Sequence, residues 1–143
     1  MKTRLMLSAV LLAAALGQTV PANANDWRMQ ECRYGGLTKG GWTQREVVLT
    51  IRCAVQKWSV DGGSDFAVQV AACESGLRAD ASNGGNYLGI YQHSARYWPT
   101  RLRTLAPAAW DKPLASSAFN ARANVVVAIR MAHNGGWGPW GCA

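Results

Sequence analysis

Glu74 stands in Cys73-Glu74-Ser75-Gly76, at the end of an apolar run that begins near Phe66. Gly89-Ile90-Tyr91-Gln92 follows, and the chain closes on Gly136-Trp137-Gly138-Pro139-Trp140-Gly141-Cys142. The run Phe66-Ala67-Val68-Gln69-Val70-Ala71-Ala72-Cys73 lies between turn signals, a pattern that predicts a buried helix. Glu74 then falls in the last turn, just before Gly76, a natural helix stop. The negative end of the helix dipole and an apolar wall would both disfavour a carboxylate anion there. A carboxylic acid that keeps its proton near neutral pH can act as a general acid on a glycosidic oxygen.

Other side chains could complete such a site. Tyr87, Gly89 and Tyr91 alternate, so an extended segment would put all three on one face. The two rings offer stacking surfaces for sugars, and Gly89 would let a saccharide approach the backbone. Ser75 could hydrogen-bond Glu74 or a sugar, although a serine at a helix end also commonly bonds its own backbone. No Gly-x-Ser-x-Gly elbow surrounds it, so it is not a serine-hydrolase nucleophile. An ordinary glycosidase needs a second carboxylate. Asp80 and Asp111 are the candidates, and nothing in their spacing singles one out. Glu46 is explained by helix capping, and Glu31 lies in an N-terminal arm. His93 and His133 have no partner at ligand or triad spacing, and there is no Cys-x-x-Cys or His-x-x-x-His pair. No metal or cofactor is expected.

The ordered set Cys73-Glu74-Ser75, Gly89-Ile90-Tyr91-Gln92 and Trp137-x-x-Trp140-x-Cys142 resembles the lysozyme-like lytic transglycosylases. It is closest in kind to the small secreted actinobacterial forms related to resuscitation-promoting factors. The resemblance covers roughly residues 65 to 142. It implies a lysozyme-like fold and a mechanism with one carboxylate, Glu74, acting on the β-1,4 bond between N-acetylmuramic acid and N-acetylglucosamine of peptidoglycan. It places Gln92 opposite Glu74, bonding an N-acetyl amide, where a plainer role would be to satisfy buried backbone. It matches Asn124 to an asparagine that helps order the site, the plainer role being a solvent-facing helix residue. Trp137 and Trp140 would wall the cleft, or else pack the core. The resemblance also implies a Cys73–Cys142 disulfide, which leaves Cys32 to pair with Cys53.

These residues need elements to hold them. Thr43-Gln44-Arg45-Glu46 is a capping-box pattern, and it opens a helix over roughly 44–58 with Val47, Ile51, Ala54, Val55 and Trp58 on one face. Trp42 and Trp58 are expected to pack the arm and this first helix. Gly62-Gly63 breaks the chain, and Ser64 is a plausible N-cap for the Glu74 helix. Asn83-Gly84-Gly85-Asn86 signals a turn, suiting a small hairpin or extended loop over 80–92. Ser94 is a candidate cap for another helix, which Pro99 must interrupt or restart. Residues 105–117 read as loop, and a last helix is expected over about 118–133, stopped by Asn134-Gly135-Gly136.

The fold class expected is mainly α, an α+β arrangement of one helical, disulfide-bonded domain with a minor β element at the cleft. Lys2 and Arg4, the apolar stretch Leu5–Leu16 and Ala22-Asn23-Ala24 form the three parts of a signal peptide over 1–24. An N-terminal arm and first helix would occupy 25–64, and the transglycosylase core 65–143. Four cysteines in a secreted chain suggest two disulfides, with three connectivities open to the residues alone. The formal charge is +7, or +5 once Lys2 and Arg4 leave with the leader. A basic secreted domain is drawn to anionic polymers, and bacterial cell wall is one. No Lys/Arg run and no nucleic-acid motif is present, so nucleic acid is not an expected partner. The chain is expected to be a secreted or wall-associated monomer with no integral membrane anchor. Two other functions stay open: a hydrolytic lysozyme, and a wall-binding or signalling protein that keeps the fold without cutting.

Overall fold

The computed structural model describes Cys32, residues 41–109 and residues 113–143. The expected leader, most of the N-terminal arm and Asp111 lie outside the described residues. The rest is four helices and a three-stranded antiparallel sheet.

Helix α1, Gln44–Lys57, opens on the expected capping box. Thr43 Oγ1 accepts from the Glu46 amide at 3.2 Å, and the Glu46 carboxylate accepts from the Thr43 amide at 2.7 Å. The Thr43 amide and, at 2.9 Å, the Thr43 hydroxyl both donate to the Glu46 carboxylate and hold it below its ordinary pKa. Val47, Ile51 and Ala54 form a fully buried stripe at helical spacing, joined by Thr50, whose hydroxyl returns to the Glu46 carbonyl. Trp42 and Trp58 are buried at the two ends of α1.

Helix α2, Gly63–Ser75, packs on α1 through Ala67, Val70 and Ala71. Its N-cap is Gly62, not Ser64, which lies inside the first turn. The backbone at 62 has φ +79°, and a Cβ there would stand 2.6 Å from that of Phe66, so only glycine fits. The helix ends where the sequence indicates. Gly76, at φ +65°, donates its amide to the Ala72 carbonyl at 2.8 Å.

The expected hairpin is present and gains a third strand. β1 is Ser82–Asn83, β2 Tyr87–Leu88 and β3 His93–Ser94. Asn83 pairs with Tyr87 around the Gly84-Gly85 turn, and Tyr87 pairs on its other side with Ser94. Ser94 therefore belongs to a strand and caps no helix. Helix α3, Trp98–Leu105, begins at Tyr97, and Pro99 sits in its first turn, where a missing amide costs nothing. A 3-10 turn at Pro107–Ala109 follows within the stretch expected to be loop.

Helix α4, Ala121–Gly135, starts three residues later than expected because Asn120 caps it, its side-chain oxygen accepting from the Ala123 amide. Every residue from Ala121 to Arg130 is buried, which makes α4 the central helix. α1 and α3 pack against it. One continuous core runs from Trp42 through α1, α2 and α4 to Trp140, and the boundary drawn at 64/65 falls within the first turn of α2.

The disulfides are Cys32–Cys53 and Cys73–Cys142. The second fastens the end of α2 to the last residues of the chain. Two indole N–H groups anchor the same segment: Trp137 donates to the Asp61 carbonyl and Trp140 to the Tyr91 carbonyl, both at 2.9 Å. No described helix is long and apolar enough to cross a membrane.

Candidate active site

The ends of three elements meet at one cleft of about 350 Å³. α2 contributes Glu74, the sheet contributes Asn83 and Tyr87, and the turn after β2 contributes Gln92. Pro139, Trp140 and Gly141 close the third side. Glu74 is half-buried, and among the described residues it is the only carboxylate lining the cleft. The disulfide at Cys73 is one residue before it, and the other end of that bridge is one residue after Gly141. Two cleft walls are thus tied together covalently beside the acid.

The turn that delivers Gln92 is built from inside. Gly89 has φ +73°, which ends β2 and reverses the chain. Asn124, in the middle of α4 and fully buried, spends its whole side chain on this turn. Its oxygen accepts from the Tyr91 amide at 2.9 Å, and its nitrogen donates to the carbonyls of Leu88 and Ala118 at 3.1 and 2.8 Å. Gln92, itself at φ +44°, donates its side-chain amide to the carbonyls of Gly89 and Ala81. Its side-chain oxygen has no partner among the described residues and remains free to accept a bond from a ligand amide or hydroxyl.

The residues expected to form the site divide into two groups. Glu74, Tyr87 and Gln92 come together in the cleft, and Tyr87 is about half exposed, its ring accessible for stacking. Ser75, Gly89, Tyr91, Asn124 and Trp137 do not line it. Ser75 is buried and donates to the Ala71 carbonyl at 3.2 Å, one helical turn back. Tyr91 is fully buried, donates its hydroxyl to the Ala67 carbonyl at 2.8 Å, and stacks on Trp137 with ring centres 6.1 Å apart. Burial pushes its phenol well above the ordinary value. The alternation that paired Tyr91 with Tyr87 fails because the Gly89 turn interrupts the strand. Gly89 is required by packing, since a Cβ there would lie 2.3 Å from both the Ala118 carbonyl oxygen and the Asn124 amide nitrogen. Asn124 is a buried organiser, not a solvent-facing helix residue. The enclosure around Glu74 is mixed: Asn83, Gln92 and Tyr87 bring carboxamides and a phenol, and Pro139 and Trp140 supply an apolar side.

Asp80 is exposed and outside the cleft lining, so it offers no second carboxylate to Glu74. Asn83, Pro139 and Gly141 are cleft residues that sequence reasoning missed. Asn83 carries a usable signal: a strand pair around Gly84-Gly85 puts it directly opposite Tyr87. Of the two candidate indoles, Trp140 reaches the cleft while Trp137 packs between Phe66 and Tyr91. His93, assigned no chemistry, is fully buried, with Nε2 3.0 Å from the Asn124 carbonyl oxygen and Nδ1 3.3 Å from Arg101 Nη1. Both contacts suit a neutral ring protonated at Nε2, and burial pushes its pKa down to about 4. No three His, Cys, Asp or Glu side chains cluster as metal ligands among the described residues.

No protein-family model, no curated protein and no solved structure matches this chain.

Proposed function

We propose that this chain is a secreted peptidoglycan-cleaving enzyme, a lytic transglycosylase that cuts the β-1,4 bond after N-acetylmuramic acid with Glu74 alone. The observation that carries the proposal is a single carboxylate at a helix end, facing a stacking phenol and two carboxamides across a cleft of ligand size. The motif resemblance around Cys73, Gly89 and Trp137 supports the same reading. So do the two disulfides, which suit an oxidising compartment outside the cytoplasm.

In the proposed reaction a sugar ring stacks on Tyr87 and an acetamido group bonds the free oxygen of Gln92. Protonated Glu74 gives its proton to the glycosidic oxygen as the bond from that oxygen to the anomeric carbon breaks. The carbonyl oxygen of the substrate's own acetamido group closes onto the anomeric carbon and carries the positive charge. The Glu74 carboxylate next removes the proton of the 6-hydroxyl. The freed oxygen displaces the acetamido oxygen from the anomeric carbon, giving the 1,6-anhydro ring and returning Glu74 to its acid form. A conventional hydrolase would need a second carboxylate to activate water or form a covalent intermediate. Among the described residues no second carboxylate lines the cleft, which favours the one-carboxylate route over the hydrolytic alternative.

Clearing of a purified cell-wall suspension tests whether the chain cuts at all. The protein should clear it, and Glu74→Gln should be slower by ~10²-fold or more, the usual scale for losing a general acid. Tight wall binding with no clearing by the intact protein would support a non-catalytic wall-binding role instead.

A further inference from the structure

The last strand of the cleft sheet leads directly into a basic, aromatic surface that the cleavage chemistry does not use. Tyr87 lines the cleft and pairs with Ser94 of β3. Two residues beyond Ser94 come Arg96 and then Tyr97, turned back by a bond from the Tyr97 amide to the Ser94 carbonyl at 3.1 Å. The Tyr97 ring is about half exposed. The guanidinium carbons of Arg96 and Arg101 both lie over that ring, 5.5 and 5.7 Å from its centre. Such stacking holds two long side chains near one place on the surface. Arg101 is further held from below by its contact with His93 Nδ1.

No carboxylate among the described residues pairs with this patch. No aspartate or glutamate occurs between residues 81 and 110. Neither Arg96 nor Arg101 meets a carboxylate among the described residues, whereas Arg52 pairs with Asp65 between α1 and α2. A planar guanidinium presents paired donors that match a carboxylate in both charge and geometry. We propose that Arg96 and Arg101, organised by Tyr97, form an accessory docking surface for the free carboxylates of the peptide stems that peptidoglycan glycan carries. The surface adjoins the sheet wall of the cleft, so a stem leaving a bound sugar over Tyr87 has only β3 to cross. This inference rests on the reading of the chain as a peptidoglycan-cleaving enzyme and deepens it: the preferred substrate is glycan whose stems keep their negative charge.

The test is co-sedimentation of the Glu74→Gln protein, which leaves the polymer uncut, with three wall preparations: purified peptidoglycan freed of phosphate polymers, the same material with its stem carboxyls converted to neutral amides, and walls that keep their phosphate polymers. Binding should be weaker on the amidated material by roughly threefold to tenfold, the scale expected of two exposed charge pairs. Arg96→Gln and Arg101→Gln, added to Glu74→Gln, should lower binding to the carboxylate-bearing material and leave binding to the amidated material unchanged. Arg96 is exposed and makes no hydrogen bond to His93 among the described residues, so Arg96→Gln gives a readout even where Arg101→Gln disturbs His93. Equal binding to the first two preparations, or arginine variants that bind both as the parent does, would overturn the proposal. A dependence on the arginines seen only with phosphate-bearing walls would also overturn it, by assigning the patch to another polymer. The cleavage reading fails separately, by the absence of cut product from the unmutated protein.

Discussion

A methyl group added at Gly89 would meet the Ala118 carbonyl oxygen and the Asn124 amide at 2.3 Å, on a backbone already at φ +73°. Gly89→Ala therefore combines overpacking with left-handed strain and should cost about 3 kcal/mol of stability. Asn124→Ala leaves the Leu88 and Ala118 carbonyls and the Tyr91 amide without their partner, at about 2–4 kcal/mol. Urea denaturation reads both, and losses below about 1 kcal/mol would mean that the turn is not held as described. Where the Asn124 variant still folds, wall clearing should fall as well, because the turn it orders carries Gln92 into the cleft. This is also the scale at which the sequence is hardest to read. Tyr87 and Tyr91 look alike at a spacing of four, and an extended chain would expose both. The positive φ at Gly89 and Gln92 sends Tyr91 inward to Ala67 and Trp137 instead. Asn124 looks like any polar helix residue until the turn that it satisfies is seen.

Elements were more legible. The Thr43–Glu46 box, the stripe on α1 and the Gly76 stop lie where residue spacing put them, because each depends on contacts within one turn of helix. Starts that depend on tertiary packing were missed. Gly62 caps α2 because Phe66 closes over it, and Ser94 joins β3 because Tyr87 is there to pair with it. Two predictions belong to junctions between elements. The Cys73–Cys142 bridge joins α2 to the third cleft wall across 69 residues. Replacing both cysteines by serine should cost ~2–4 kcal/mol. It should also reduce clearing at temperatures where the protein remains folded, since Glu74 and Trp140 lose their common tether. Full activity in that variant would contradict a cleft held by the bridge. The second junction is His93, where β3, α3 and α4 meet. Its folded pKa of about 4 lies below the ordinary 6.5, so the unfolded chain takes up the proton first as pH falls. The stabilising contribution is complete above about pH 6.5 and is lost progressively between pH 6.5 and 4, amounting to about 3 kcal/mol. Thermal melts across that window should show the loss, and His93→Gln should flatten it. An unchanged pH slope in that variant would mean that His93 is not the group responsible.

Among the described residues one core underlies a cleft lined by a single carboxylate, and the chain as a whole carries a formal charge of +7. The cysteine count was enough to anticipate two disulfides, since it is a total, and the capping and apolar-spacing signals were enough to anticipate a mainly helical domain. The identity of the cleft's far wall depended on how β1, β2 and the C-terminal segment converge, and so Pro139 and Gly141 had no local signal strong enough to name them in advance, while Asn83 could have been found only through its pairing with Tyr87. The central claim is that Glu74 serves as both acid and base with no second carboxylate. Mass spectrometry of the fragments released from purified, reduced-end-labelled peptidoglycan tests it most directly. The account predicts disaccharide–peptide products that end in a 1,6-anhydro ring, each lighter by one water than its hydrolysed counterpart, and none from Glu74→Gln. Products carrying that added water, or anhydro products still formed at an undiminished rate by Glu74→Gln, would contradict it.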